Sequence, residues 1–119
     1  MINSIEHMAI AASDPAALAH WYCDTLGFTL VVASESSKTY FVKLPNGGMV
    51  EIIAVDPSAQ GASATHTVGF HHLALSVENF VQASQNLQAR GIHFIGPAYR
   101  SADGGTQFDF FCDPEGNRL

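Results

Sequence analysis

The sequence is poor in basic side chains and has no long hydrophobic run. Its 5 Lys and Arg residues stand against 11 Asp and Glu, which gives a formal net charge of −6. A chain of this charge repels phosphate backbones and acidic lipid surfaces, so we expect neither nucleic acid nor a membrane as partner. No apolar segment approaches the ~20 residues that a membrane helix needs, and no basic segment precedes an apolar one at the N-terminus. We therefore expect a soluble, cytoplasmic protein.

Cysteine is also scarce. The two cysteines, Cys23 and Cys112, follow no C-x-x-C spacing. This predicts reduced thiols that pack as small apolar groups, with no bridge and no functional role. A chain of 119 residues is long enough to bury a single hydrophobic core, which favours one domain.

What the sequence does contain is one pattern that occurs twice. The segment Ile5–Ala11 reads IEHMAIA, and the segment Phe70–Ser76, which begins 65 positions later, reads FHHLALS. Each is an apolar strand pattern with a histidine near its start. We infer that one structural module is used twice.

The first module reads as β-α-β-β-β. Asp14 is a helix N-cap, and Pro15 suits the first helical position. The helix should run to about Leu26, because Gly27 offers the left-handed conformation that ends helices. Pro45-Asn46-Gly47-Gly48 predicts a hairpin turn. The strands around it are expected near residues 28–34, 38–44 and 49–54.

The second module repeats that order. Asn79 is the N-cap of a helix that should end at about Arg90, before Gly91. The strands of this module are expected at 70–77 and near 93–99 and 106–112. We predict a single domain over residues 1–119, composed of module 1–54 and module 69–119 joined by linker 55–68.

Strand alternation selects one histidine in each module. Alternate side chains share a face of a strand, so Met8 and Ile10 take one face in the first segment, and Leu73, Leu75 and Val77 take one face in the second. His7 and His72 then lie on the opposite face beside small side chains, and the register of the repeat pairs them with each other. His71 falls on the apolar face and is not a candidate ligand.

Glu51 is the third candidate. It lies within the apolar strand pattern Met49–Ile53, where a carboxylate is costly unless it is paired, hydrogen-bonded or bound to a metal. When the turn 45–48 is aligned with 114–117, the second-module equivalent of Glu51 is position 120, one residue beyond the printed sequence.

These features resemble the vicinal oxygen chelate superfamily, which includes glyoxalase I, extradiol dioxygenases and the bleomycin-resistance binding proteins. The resemblance covers essentially the whole chain. The segments that carry it are His7, Trp21–Phe28, Glu51, Phe70–Val77 and Asp113–Arg118. It implies an α+β fold in which two paired β-α-β-β-β modules form a cupped mixed sheet, and a divalent metal held by His7, Glu51, His72 and position 120. It also implies a homodimer.

Two imidazoles with carboxylates suit Ni, Co, Zn, Mn or Fe(II). Such an ion polarises vicinal oxygens of a small-molecule substrate, as in a lyase, an isomerase or a dioxygenase. Glu51 is then also the candidate catalytic base. Gln107 and Asp109, on one face of a predicted strand, are either substrate-binding residues or a solvated edge of the sheet.

Two classes of function stay open. The first is a metal-dependent enzyme, which the presence of His7, Glu51 and His72 favours. The second is a metal-free protein of the bleomycin-resistance type that sequesters a ligand. The glutathione-anchoring positions of glyoxalase I are Ala11 and Val55 here, which argues against the hemithioacetal of methylglyoxal and glutathione as substrate.

Overall fold

The computed structural model describes residues 1, 5–55, 70, 72–100 and 105–119. The chain divides into two compact units, Met1–Gly61 and Ala62–Leu119. It is an α+β protein with a mixed sheet, as predicted. Neither helix in these ranges has the length and hydrophobicity to cross a bilayer. The elements are β1 (His7–Ala12), α1 (Pro15–Leu26), β2 (Thr29–Ser34), β3 (Thr39–Leu44), β4 (Gly47–Ala54), α2 (Phe80–Ala89), β5 (Tyr99–Arg100) and β6 (Gln107–Phe108).

Helix α1 has the ends that its sequence predicts. The Asp14 carboxylate accepts a hydrogen bond from the Ala17 N–H at 3.0 Å, which satisfies a donor of the first turn. Gly27 follows the helix with φ of 78°, and its N–H donates to the Cys23 carbonyl at 3.1 Å. A residue with a Cβ would adopt this left-handed conformation only at a cost.

Helix α2 begins in the same way. The Asn79 side chain accepts from the Gln82 N–H at 3.0 Å. The helix ends at Ala89, and Arg90 is the C-cap, so the predicted end is correct to within one residue.

The first unit holds a four-stranded sheet in the order β1-β4-β3-β2. β1 and β4 run parallel, whereas β4, β3 and β2 are antiparallel neighbours. The predicted hairpin joins β3 and β4, and Gly47 and Gly48 have φ of 97° and 68°. Because β1 pairs with β4, His7 on β1 lies beside the strand that carries Glu51.

One face of this sheet packs on α1 and forms the core. Its largest fully buried side chains are Leu18, Tyr22, Val42 and Ile52. Each such burial stabilises the fold by about 1.5–3 kcal/mol. Because α1 covers that face, the candidate residues His7 and Glu51 lie on the face that α1 leaves open.

The second unit pairs its segments in a corresponding order. The Leu73 N–H donates to the Arg118 carbonyl at 3.1 Å, and Phe111 and Leu119 exchange backbone hydrogen bonds of 3.0 and 2.8 Å. β5 and β6 are antiparallel neighbours, and the Ile95 N–H donates to the Phe110 carbonyl at 2.7 Å. The segments therefore follow one another as 72–77, 118–119, 107–112 and 95–100.

The strands of this unit are shorter than predicted. β5 and β6 cover two residues each, and residues 72–77 form no regular strand. Pro97 has no N–H to donate, and the Phe110 N–H donates a hydrogen bond to the Asp109 carboxylate at 2.8 Å. Both remove donors from the sheet. All but one residue of the predicted linker 55–68 lie outside the described ranges.

The two cysteines differ from each other. Both are free thiols, and Cys23 is half-buried as expected of a small apolar group. Cys112 is exposed, so the prediction that it packs is wrong. Its neighbours Phe111 and Asp113 are buried, and alternation turns the side chain between them outward.

Candidate metal centre

His7 and Glu51 meet on the open face of the first unit. The parallel pairing of β1 with β4 sets Ala9 opposite Glu51 and His7 two residues before Ala9, on the same face. His7 Nε2 lies 3.2 Å from Glu51 Oε2, with side chains 35% and 24% exposed. This pair unites two of the three predicted ligands and leaves both within reach of solvent.

Glu6 lies beside the other nitrogen of the His7 ring, Nδ1. Its Oε2 contacts His7 Nδ1. This hydrogen bond raises the pKa of His7 above its ordinary value of 6.5; burial of the ring opposes the shift, and the charges of Glu6 and Glu51 add to it. In metalloproteins a histidine ligand usually donates its second N–H to such a carboxylate, which orients the ring. The sequence interpretation overlooked Glu6, although it directly precedes the histidine.

Phe41 forms one wall beside His7. The Phe41 ring meets the His7 ring edge-on, with centroids 5.6 Å apart and an interplanar angle of 74°. Phe41 is the β3 residue opposite Glu51, so it shares the open face. An aromatic wall limits the rotamers of the imidazole and excludes water on one side.

His72 occupies a comparable place in the second unit. It is exposed together with Ala74 and Ser76, whereas Leu73 and Leu75 are half-buried, as the alternation predicts. Val77, predicted to pack on the same side as Leu73 and Leu75, is exposed, so the alternation ends before it. Its ring meets that of Phe110 edge-on, with centroids 5.3 Å apart and an interplanar angle of 79°. Each candidate histidine thus has a phenylalanine at its edge. His71 lies outside the described residues.

The strand registers of the two units correspond. In the first unit Val42 pairs with Val50, and Glu51 follows Val50. In the second unit Phe111 pairs with Leu119. All four paired residues are buried. By backbone pairing Leu119 is therefore the counterpart of Val50, which agrees with the alignment of the turns.

Gln107 and Asp109 lie on the segment that carries Phe110. Gln107 is exposed and pairs with Arg100. Asp109 is half-buried, on the opposite side of its segment from Phe110, and lines a cavity of about 600 Å³. Their assignment to substrate stays a prediction. The lining residues of this cavity are Gln88, Ile92, His93, Phe94, Gly96, Ala98 and Asp109.

Among the described residues, no three His, Cys, Asp or Glu side chains gather in a group that could hold a metal. His7 and Glu51 belong to the first unit, and His72 belongs to the second. What the structure shows is one imidazole–carboxylate pair and one further histidine at the corresponding position of the repeated segment. A nitrogen and oxygen donor pair of this kind fits the divalent ions Zn, Ni, Co, Mn and Fe(II).

Comparison with known proteins identifies the family. Residues 4–119 match the model of the Glyoxalase/Bleomycin resistance protein/Dioxygenase superfamily. The protein YaeR of Escherichia coli strain K12 is 31% identical over 121 residues, which cover 97% of this chain and 92% of YaeR.

Solved structures share the fold. A glyoxalase family protein from Enterococcus faecalis is 29% identical with a TM-score of 0.81, over 99% of this chain and 95% of that one. Lactoylglutathione lyase from Agrobacterium tumefaciens is 19% identical with a TM-score of 0.74, over 98% and 90%. TnmS3, an antibiotic-binding protein from Streptomyces sp. CB03234, is 20% identical with a TM-score of 0.77, over 98% and 92%. An enzyme and a binding protein thus share this fold, so the side chains of the site must decide between them.

Proposed function

The chain belongs to the Glyoxalase/Bleomycin resistance protein/Dioxygenase superfamily, and we propose that it is a metal-dependent enzyme of that superfamily. It acts as a lyase or isomerase, or as a dioxygenase, on a small substrate with vicinal oxygens. His7, Glu51 and His72 hold the divalent metal. The His7–Glu51 pair on the open face of the sheet carries this proposal.

The support from that pair is chemical. A neutral imidazole nitrogen and a carboxylate oxygen are both metal donors, and here His7 Nε2 and Glu51 Oε2 lie 3.2 Å apart. Glu6 fixes the ring through Nδ1, which leaves Nε2 for the ion. For His72 the support is the repeat: it has the position in the repeated segment and the phenylalanine contact that His7 has.

A bound divalent ion would polarise the vicinal oxygens of the substrate. Glu51 is the residue of this chain that would move a proton, because its carboxylate lies on the open face, 3.2 Å from His7 Nε2, the ring nitrogen that would bind the ion. Ala11 and Val55 offer no charge or hydrogen bond at the glutathione-anchoring positions. A charge-assisted contact is worth about 1.5–3 kcal/mol, so we expect the hemithioacetal of methylglyoxal and glutathione to be a poor substrate.

Elemental analysis of protein purified without a chelating tag or added metal tests the proposal. We expect about one equivalent of a transition metal in the native protein and its loss in His7→Ala, Glu51→Ala and His72→Ala. His20→Ala is the matched control, because His20 is exposed on helix α1. A native protein that binds none of the five ions, even when they are added, would contradict a metal-dependent enzyme.

The alternative is a metal-free ligand-binding protein of the bleomycin-resistance type. The observation in its favour is that the described residues hold no group of three metal ligands. Under this alternative His7 and Glu51 form only an ion pair, and replacing them changes neither metal content nor metal-linked stability. The same elemental analysis therefore separates the two functions.

A further inference from the structure

Arg118 lies next to the candidate ligand of the second unit. Its guanidinium carbon is 5.4 Å from the centroid of the Phe110 ring, which is within the range of a cation–π contact. The same ring is met edge-on by His72, at 5.3 Å between centroids, and by Phe108, at 5.8 Å. One phenylalanine thus touches both the histidine and the cation.

Backbone pairing puts the Arg118 side chain on the His72 side. Leu119 is buried against the core, so its neighbour Arg118 points to the opposite face. The Arg118 carbonyl accepts a hydrogen bond from the Leu73 N–H, and the Arg118 backbone forms an isolated β-bridge with that of the exposed Cys112. Arg118 therefore occupies in the second unit the strand position that Met49 occupies in the first, beside the histidine strand.

The guanidinium remains available for an anion. In the described part of the chain no ion pair joins Arg118 to a carboxylate, although the chain carries 11 acidic residues. The side chain is half-buried, and the contact with Phe110 limits its freedom. A guanidinium that lies on an aromatic face keeps its planar N–H donors, which match a carboxylate in bidentate geometry.

The first unit has a related feature. Lys43 and His7 are both paired with Met49 across the sheet, so the three side chains share one face. Lys43 is exposed there. In a chain with only 5 Lys and Arg residues, each candidate histidine thus has a cation on its own face.

We propose that Arg118 is a substrate-binding residue and that the substrate carries a carboxylate in addition to its vicinal oxygens. This inference rests on the proposed function, because the vicinal oxygens would be bound by the metal at His7, Glu51 and His72. Arg118 determines specificity: it stabilises the anionic group of the substrate and favours an acid over its neutral counterpart.

The test uses zinc-loaded protein and probes that differ by one carboxylate. Catechol has vicinal oxygens alone, whereas 2,3- and 3,4-dihydroxybenzoate add a carboxylate at two distances from them. Isothermal titration gives the affinity of each probe for the wild type, Arg118→Met, Arg118→Lys and the control Lys38→Met. Lys38 lies in the exposed turn between β2 and β3, and its replacement changes the net charge by the same amount as Arg118→Met.

We expect at least one dihydroxybenzoate to bind the wild type more tightly than catechol does. Arg118→Met should weaken that binding about 10- to 100-fold, the loss expected for one charge-assisted contact, and leave catechol and zinc affinity unchanged. Arg118→Lys keeps the positive charge but not the planar pair of guanidinium N–H donors, so it should lose less of the dihydroxybenzoate affinity. This variant serves as the readout if Arg118→Met does not fold. Lys38→Met should match the wild type.

Two results would overturn the inference while the proposed function stands: an equal loss for catechol and dihydroxybenzoate, or no loss for either, in protein that still binds zinc and catechol. A wild type that takes up neither zinc nor any of the other four candidate ions would instead overturn the proposed function and the inference with it.

Discussion

The metal at His7 and Glu51 can be tested through stability, without knowledge of the substrate. The perturbations are His7→Ala, Glu51→Ala and the double variant, each unfolded in urea with and without zinc. Without metal, the coupling between the two residues should be small, because side chains that are 35% and 24% exposed form a solvent-screened pair.

With metal the coupling should become large. A ligand that binds only the folded state at 100 times its dissociation constant adds about 2.7 kcal/mol to the free energy of unfolding. The wild type should gain this amount, and each single variant should gain almost none of it. The double variant should lose no more of the metal effect than either single variant, so the interaction free energy between the residues should approach ~2.7 kcal/mol.

The zinc-dependent difference in urea midpoint is the measurement, and His20→Ala is the control that should keep the full response. If the single variants respond to zinc as the wild type does, the metal binds elsewhere. A wild type whose midpoint does not move with any of the candidate ions would refute a metal site built on this pair.

Three further predictions follow from individual side chains. Asp113→Ala should lower the free energy of unfolding by about 2–4 kcal/mol in urea titrations, because this carboxylate, only 4% exposed, accepts from two backbone N–H groups and one side-chain amide at 2.8–3.0 Å; a loss near zero would mean that the turn does not need it. Cys112 should be alkylated before Cys23 in a mass-spectrometric time course, because burial raises the pKa of the Cys23 thiol whereas Cys112 is exposed; equal rates would contradict this. Glu6→Gln should lower the pKa of His7 in an NMR titration of metal-free protein. Since the folded-state pKa is raised above 6.5, the contact stabilises the fold below pH 6.5, and this contribution is lost as the pH rises through the folded-state value. An unchanged His7 titration in Glu6→Gln would show that the contact does not form.

The features that follow from sequence alone are those with local causes. Helix α1 has the predicted bounds because Asp14 satisfies an N–H of its own first turn and Gly27 adopts a conformation that other residues avoid. The faces of His7 and His72 follow from alternation along one strand, which involves only immediate neighbours. The family resemblance rests on the same local patterns, and residues 4–119 match the superfamily.

Other features depend on residues that are distant in the sequence. Glu51 needs a partner, but only the parallel pairing of β1 with β4 shows that its partner is His7. Likewise, nothing near Phe110 in the sequence indicates that its ring contacts both His72 and Arg118. These contacts form when strands from separate parts of a unit pair in one register. A shift of one residue would turn every side chain of a strand to the other face, so tertiary structure decides the site.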